Sequence, residues 1–388
     1  MTDRPPLKIA TRSEVAPFLA MDVLAAANAR AATGADVIHL EVGEPGEGPP
    51  DAVIRAATAA LRDQRLGYTE ALGIGALREA LAERYRRVDG LGIDPERILV
   101  TVGASGAFVL AFLAAFDTGD RVVVPEPAFP AYRNILEALG IEVVRLELGE
   151  ATGFKPTPAL LDRIRGQVHG LVVASPANPT GTMLRATDLA GLGAWCRDRR
   201  VRLVSDEIYH GLSFGDPAVS VLATSEEAVV INGFSKYFCM TGWRLGWLVA
   251  PPDLVRPLER LAQNLYISPP ALAQHAALAA LACGPELDRR IERYRTNRNR
   301  LIEVLVPAGL DRFAPPDGAF YLYVDVAHLG SSSSELCRRI LAETGVALAP
   351  GADFDRVRGE RFVRLAFCGA SAQVAAAGRR LAAWLAAS

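Results

Sequence analysis

Lysine is nearly missing from this chain of 388 residues: Lys8, Lys155 and Lys236 are the only three among 42 basic side chains. Arginine therefore serves as the ordinary surface cation, and Lys236 keeps the most apolar neighbourhood of the three. Cysteine is sparse too. Cys196, Cys239, Cys283, Cys337 and Cys368 are odd in number, scattered and without a CxxC pair. That fits a reducing compartment and free buried thiols. The five histidines (His39, His169, His210, His275, His328) show no ligand spacing, so no metal site is expected. A GxGxxG motif is absent, and Gly73-Ile74-Gly75 follows a loop rather than a strand, which weakens a dinucleotide reading. The longest apolar runs, such as 109–116, are too short to span a bilayer. The first 18 residues, with Pro5-Pro6, lack the apolar core of a secretory signal. A net charge of −2 argues against a nucleic-acid or anionic-membrane surface. The cytosol is the expected compartment.

Half of the residues are hydrophobic, enough for a large core and two domains at this length. An Ala-rich helical pattern covers 17–32, and a short strand 37–42 runs into the loop Gly43-Glu44-Pro45-Gly46. Residues 51–65 read as a helix with Asp51 placed to cap its start. After the loop Gly67-Tyr68-Thr69 comes an amphipathic helix over 74–87. Strands then alternate with helices: strand 97–102, helix 107–116, strand 121–124, helix 132–139, strand 141–146, helix 158–165, strand 169–174, helix 188–199 and strand 201–205. Strands 229–231 and 246–250 follow. This alternation predicts an α/β domain with a mainly parallel sheet covered by helices. A helical tract, 253–305, leads into a small α+β unit with strands at 320–324 and 361–367 and helices at 334–344 and 371–385. The basic run RRIERYRTNRNR (289–300) reads as a solvated helix face.

Ligands of open α/β sheets bind at the carboxyl ends of the strands. Those ends carry Gly103-Ala104-Ser105-Gly106, Phe129, Asn178, Asp206, Tyr209, Ser235, Lys236 and Arg244. As chemistry the set is an anion cradle, an aromatic slab, an amide, a carboxylate, a phenol, an amine and a guanidinium. One ligand suits all of them. A phosphate would sit on Gly103, Ala104 and Ser105 at a helix N-terminus, with Ser235 and Arg244 added. Phe129 would cover a flat ring, Asp206 would keep a ring nitrogen protonated, and Asn178 and Tyr209 would bond a ring phenolate. Lys236, off a buried strand end, would form a Schiff base. That ligand is pyridoxal 5′-phosphate.

The order SPANPTG (175–181), DEIY (206–209), GFSK (233–236) and MTGWRLG (240–246) resembles the class I/II aminotransferases of the aspartate aminotransferase superfamily. So do VGEP (42–45), GYTEALG (67–73), VTVGASGA (100–107), PEPAFPAY (125–132) and FVRLAF (362–367), so the likeness runs essentially end to end. The resemblance implies the fold type I of pyridoxal-phosphate enzymes: a seven-stranded, mainly parallel sheet in a large α/β/α domain, plus a smaller α+β domain. Its division here would be an arm and part of the small domain at 1–45, a large cofactor domain at 46–285 and a small C-terminal domain at 286–388. It implies Lys236, Asp206 and Tyr209 as the catalytic set. Gly103, Ala104, Ser105, Phe129, Asn178, Ser235 and Arg244 would join them on the cofactor, with Tyr68 reaching in from a second copy of a homodimer. Arg364 would clamp the substrate carboxylate, beside Gly43 and Asn178.

The implied reaction moves an amino group between an L-amino acid and a 2-oxo acid by a 1,3-proton shift, with the freed Lys236 amine carrying the proton. Asp206 makes the shift feasible by keeping the ring cationic, and Arg364 acts by positioning. The alternative on the same fold is a β-elimination or C–S lyase. A dicarboxylate substrate needs a second cation. Some relatives place a lysine in the phosphate loop where this chain has Ser105, so Arg12 or another arginine would have to serve. Neutral or aromatic amino acids are at least as compatible. The loop VGEPGEGPP departs from the more usual GEPDF type, leaving the side-chain pocket near Gly46–Gly48 unread. Tyr266 and 268–274 are further candidates to cross a dimer interface.

Overall fold

The computed structural model describes residues 7–387; residues 1–6, Pro5-Pro6 among them, and residue 388 lie outside it. The chain begins with helix α1 (Leu19–Ala32), the short strand β1 (Ile38–His39), α2 (Asp51–Asp63) and α3 (Gly75–Asp89). It then alternates through β2 (Ile98–Thr101), α4 (Gly103–Ala115), β3 (Arg121–Glu126), α5 (Ala131–Ala138) and β4 (Glu142–Glu147). Next come α6 (Pro158–Leu161), β5 (Gly170–Ala174), α7 (Ala186–Arg199), β6 (Arg202–Asp206), β7 (Val229–Gly233) and β8 (Gly246–Val249). Helices α8 (Pro252–Leu265), α9 (Ala271–Ala280) and α10 (Gly284–Leu305) follow. The chain closes with β9 (Tyr321–Asp325), α11 (Ser333–Thr344), β10 (Val346–Ala347), β11 (Ala349–Pro350), β12 (Phe362–Ala366) and α12 (Ser371–Ala387).

The central sheet has seven strands in the order β2-β8-β7-β6-β5-β3-β4. Its side chains alternate between two buried layers, as a pleat with period two requires. Val122, Val124, Val172, Val204, Val229 and Ile231 face one layer with α4. Val123, Leu171, Val173, Leu203, Val230 and Trp247 face the other. With both faces covered, these strands are near-continuous apolar runs, the pattern of a parallel sheet. α4 is apolar all round and lies buried, as such a helix must. Only β8 runs antiparallel to its neighbours β2 and β7. Its start, just after Arg244, therefore lies at the edge where the parallel strands end.

A second sheet, β11-β12-β9, is antiparallel and sets Tyr323 opposite Arg364 and Tyr321 opposite Ala366. β1 pairs in parallel with β10, Ile38 beside Val346. The N-terminal segment thus joins the C-terminal part of the chain, where α10 and α12 also pack together. No helix among the described residues is long and apolar enough to cross a membrane.

Four expectations change. The expected strand 37–42 keeps two paired residues, because past Leu40 the backbone bonds to Arg364 rather than to a neighbouring strand. Asp51 is the first helical residue of α2 instead of its cap; Pro50 holds the cap position and no side chain caps it. The stretch 103–106 is the first turn of α4 itself. The tract 253–305 is three helices, broken around Pro269-Pro270, where the helix cannot continue, and before Gly284. β10 and β11, two residues each, carried no periodicity to find.

Gly246 decides how closely β8 approaches α4. A Cβ there would lie 2.7 Å from Gly103 C and Ala104 N and 3.0 Å from Asn232 O, all backbone atoms with little freedom to yield. Gly246→Ala is expected to cost about 2 kcal/mol of unfolding free energy through overpacking, read as a lower midpoint in urea denaturation at unchanged slope.

Candidate active site

The carboxyl ends of β2, β3, β5, β6 and β7 and the start of β8 surround a cavity of about 280 Å³. Lys236 follows β7 and reaches into it. Its Nζ donates to the Gly43 carbonyl at 2.7 Å, and burial pushes the amine down to about 8 because a charged ammonium loses hydration there. Asp206 ends β6, 5% exposed. Burial pushes its carboxyl up to about 6, against the donated bonds of Tyr132 and the Ile208 amide. Tyr132 Oη bonds Asp206 Oδ2 directly. Tyr209 is buried, and its Oη lies 2.8 Å from Tyr321 Oη. Burial raises the Tyr209 hydroxyl well above its ordinary range, so it keeps its proton.

At one end of the cavity the first turn of α4 presents free amides. Gly103 has φ +69°, and a Cβ there would sit 2.6 Å from Arg244 Nη2, so the glycine lets the guanidinium lie against the helix start. Arg244 itself adopts a left-handed φ of 52° and donates Nη1 to Thr241 O at 2.8 Å. Ser105 and Ser235 line the same end. A helix N-terminus, a guanidinium and two hydroxyls form an anion cradle.

At the other end stands Arg364, on β12 and 5% exposed. Its guanidinium is sandwiched between the rings of Tyr321 and Phe354, with Cζ 4.5 and 4.6 Å from their centroids. Nη1 donates to Asn178 Oδ1 at 2.9 Å and Nη2 to the Glu41 carbonyl. Nε is buried without a protein partner. The wall between Arg364 and Phe129 is apolar and includes Phe18, Ala20, Met21 and Phe354. Phe18 packs edge-on against Phe129 with centroids 5.6 Å apart. Asp353 ties this wall down by accepting from the Leu19 and Ala20 amides at 3.2 and 3.1 Å.

Lys236, Asp206, Tyr209, Asn178, Phe129, Ala104, Ser105, Ser235, Arg244, Arg364 and Gly43 all line this one cavity, and Gly103 abuts Arg244. Tyr68 does not: it is 82% exposed and outside the lining. Tyr266 also lies outside it, partly buried on the α4 layer. Gly46–Gly48 border a separate open groove with Cys239 and Trp243, and Arg290 holds this loop through the Gly48 carbonyl at 2.6 Å. The side-chain wall comes instead from α1 and Phe354. Sequence reasoning missed Tyr132, Tyr321, Asp353 and the α1 residues. Tyr132 had a usable signal, three residues after Phe129 and one helical turn along. Tyr321 had none, since an aromatic in a fully apolar strand looks like core.

The sheet order and the convergent amine, carboxylate and guanidinium groups define a fold type I transferase. The sequence model of the family described as aminotransferase class I and II matches residues 35–381. The valine–pyruvate aminotransferase of Mycobacterium tuberculosis is 48% identical over 99% of both chains. The aspartate/prephenate aminotransferase of Thermus thermophilus is 36% identical over 83% of this chain and 84% of its own. Among solved structures, an aminotransferase from Mycobacterium tuberculosis superposes with a TM-score of 0.97 at 48% identity, covering 99% of this chain and 100% of that one. The Thermus thermophilus aspartate aminotransferase with maleate gives 0.91 at 34% identity, covering 97% and 100%. The chain belongs to the class I and II aminotransferases, and its reaction is transamination; the lyase alternative is not favoured.

The phenol of Tyr132 favours the ionised form of Asp206 by donating to it. Tyr132→Phe is therefore expected to move the Asp206 midpoint above about 6, reducing the ionised fraction at neutral pH. An infrared pH titration of the carboxyl stretch, with Asp206→Asn assigning the band, checks this; an unmoved midpoint contradicts it.

Proposed function

We propose that the cavity binds pyridoxal 5′-phosphate and that the enzyme moves the amino group of a neutral aliphatic L-amino acid to a 2-oxo acid. The observation that carries the cofactor reading is a depressed amine and a buried carboxylate facing one cavity whose far end is an anion cradle. The residues fit the group. Gly103 leaves the space that a Cβ would fill, so the α4 amides, Ser105, Ser235 and Arg244 suit its phosphate. Phe129 suits its ring face, Asp206 its ring nitrogen, and Asn178 and Tyr209 its ring oxygen.

When bound, the cofactor supplies an electron sink for charge left on the substrate α-carbon. Lys236 is the attachment amine and, once free, the base that takes the α-carbon proton and returns it. Its depressed basicity leaves a neutral fraction near the operating pH, as general base catalysis requires. Asp206, ionised above about 6, keeps the ring-nitrogen proton in place. Arg364, whose guanidinium plane is fixed by the Tyr321 and Phe354 rings, is the cation for the substrate carboxylate. That contact orients the α-carbon hydrogen toward Lys236.

The substrate class rests on charge. Among the described lining residues the cations are Lys236, Arg244 and Arg364, and each already has a role. Arg12 lies exposed in the turn Thr11–Ser13, outside the lining. A distal carboxylate would meet Phe18, Ala20, Met21 and the carboxylate of Asp353, and an unpaired charge in such a wall is costly. The name valine–pyruvate aminotransferase of the 48% identical relative supports the same class. The aspartate names of more distant relatives fit the chemistry but not this wall.

The protein with added cofactor, mixed with a panel of L-amino acids, should release the matching 2-oxo acid from valine or alanine. The kcat/KM for aspartate should be at least about 100-fold lower, the equivalent of about 2.7 kcal/mol. Borohydride treatment should fix the cofactor on the peptide holding Lys236, and Lys236→Ala should abolish both signals. Pyruvate with ammonia and no amino transfer would contradict this reading.

A homodimer in the cytoplasm completes the proposal. Leu66, Tyr68 and Ile267 are exposed apolar side chains on two loops, with Leu265 exposed at the end of α8. Thr69 N to Ser268 Oγ at 3.2 Å ties the loops, and Gln274 Nε2 of α9 bonds Thr69 Oγ1 at 3.1 Å. All five cysteines are free, in keeping with a reducing compartment. Light scattering is expected to give twice the chain mass. Tyr68→Ala should weaken cofactor affinity about tenfold; a monomer with unchanged affinity would refute the shared site.

A further inference from the structure

Tyr321 sits where the two ends of the cavity meet. It is 1% exposed and belongs to β9 of the second sheet, whereas Tyr209 follows β6 of the central sheet. Three contacts converge on it. Its hydroxyl lies 2.8 Å from Tyr209 Oη. Its ring face lies 4.5 Å from the Arg364 guanidinium carbon. Its hydroxyl also abuts Gly43 so closely that a Cβ on that residue would lie 1.7 Å from it, and Gly43 O is the acceptor for Lys236 Nζ.

We propose that Tyr321 is a positioning residue coupling the cofactor end to the carboxylate end: its hydroxyl turns the Tyr209 proton toward the ring oxygen, and its ring holds Arg364 in plane. The proposal rests on the roles given above to Tyr209 and Arg364. Each phenol has one proton to donate. Among the described residues each of the two hydroxyls is bonded to the other alone, and either can donate; once Tyr209 gives its proton to a ligand, Tyr321 is the donor left for their shared bond. A hydroxyl that accepts a hydrogen bond is polarised into a stronger donor. Both phenols stay protonated at working pH, since burial lifts Tyr321 to about 12 and Tyr209 further. The charged and titratable groups facing the pair are Arg364, Asp206 and, toward Tyr321, Cys368 and Tyr132. None of these supplies an alternative donor to Tyr209 Oη in the described structure. The Gly43 contact explains why position 43 admits no side chain.

The two contacts can be separated. Tyr321→Phe removes the hydroxyl and keeps the ring; Tyr321→Leu removes both. In enzyme loaded with pyridoxal 5′-phosphate, Tyr209 donating to the ring oxygen favours the deprotonated chromophore. Tyr321→Phe should therefore raise the pH midpoint of the bound cofactor's absorbance by at least about half a unit, roughly a threefold change in proton affinity. Its KM for L-valine should stay within about twofold of the unaltered enzyme. Tyr321→Leu should show the same midpoint shift and raise KM about tenfold as the ring beneath Arg364 is lost. An unmoved midpoint in Tyr321→Phe, or equal KM values in both variants, overturns the coupling. Tyr209→Phe separates the two failures. If it raises the midpoint while Tyr321→Phe does not, only the coupling falls. If neither raises it, the placing of Tyr209 on the ring oxygen falls, and the coupling with it.

Discussion

The desolvation of one amine at the edge of the central sheet is the constraint on which the rest of the cavity depends. An ammonium taken out of water gives up its proton more easily, and Lys236 is brought to about 8 in this way. The same burial acts in the opposite sense on Asp206, raising it to about 6. One pocket therefore draws an acid and a base toward each other on the pH scale. Such convergence marks acid–base sites. Phe18, Phe129 and Phe354 line the same cavity, and Asp353 pins the Phe18 side of it through the first amides of α1.

Strand direction supplies the geometry. Parallel strands deliver their ends, with Asn178, Asp206 and Lys236, to one edge. The single reversed strand, β8, brings Arg244 to that edge from the other side. Gly246 and Gly103 let the reversed strand, the start of α4 and the guanidinium lie in contact. The anion cradle is thus a packing result: two glycines without Cβ atoms permit a close approach that places free amides beside a cation.

The second sheet contributes what the first cannot. Arg364 is buried yet bonded to two acceptor oxygens and covered by two aromatic faces, the arrangement a buried guanidinium needs to offset its lost hydration. Its unpartnered Nε is buried beside an apolar wall. Tyr321 joins this half to the phenol of Tyr209, so the two sheets meet through side chains that touch both ends of the cavity.

Much of this was written in the sequence. Valine-rich runs at regular intervals determine buried parallel strands because a pleat covered on both faces has no polar side to show. Lys236, Asp206, Asn178 and Arg244 were legible because each sits just beyond or just before such a run, where the chain leaves the sheet. Tyr132, Tyr321, Phe18 and Asp353 were not, because a buried tyrosine or an N-terminal helix looks the same in sequence whether it lines a cavity or fills a core. The two-residue strands β1 and β10 exist only through pairing with each other across some 300 residues, and β11 only through its pairing with β12; local periodicity carries no trace of that. The sequence by itself determined the sheet and the reactive groups at its edge. Only the tertiary structure decided which groups meet, since contact between Tyr209 and Tyr321, or Asn178 and Arg364, follows from how two sheets pack and from no spacing along the chain.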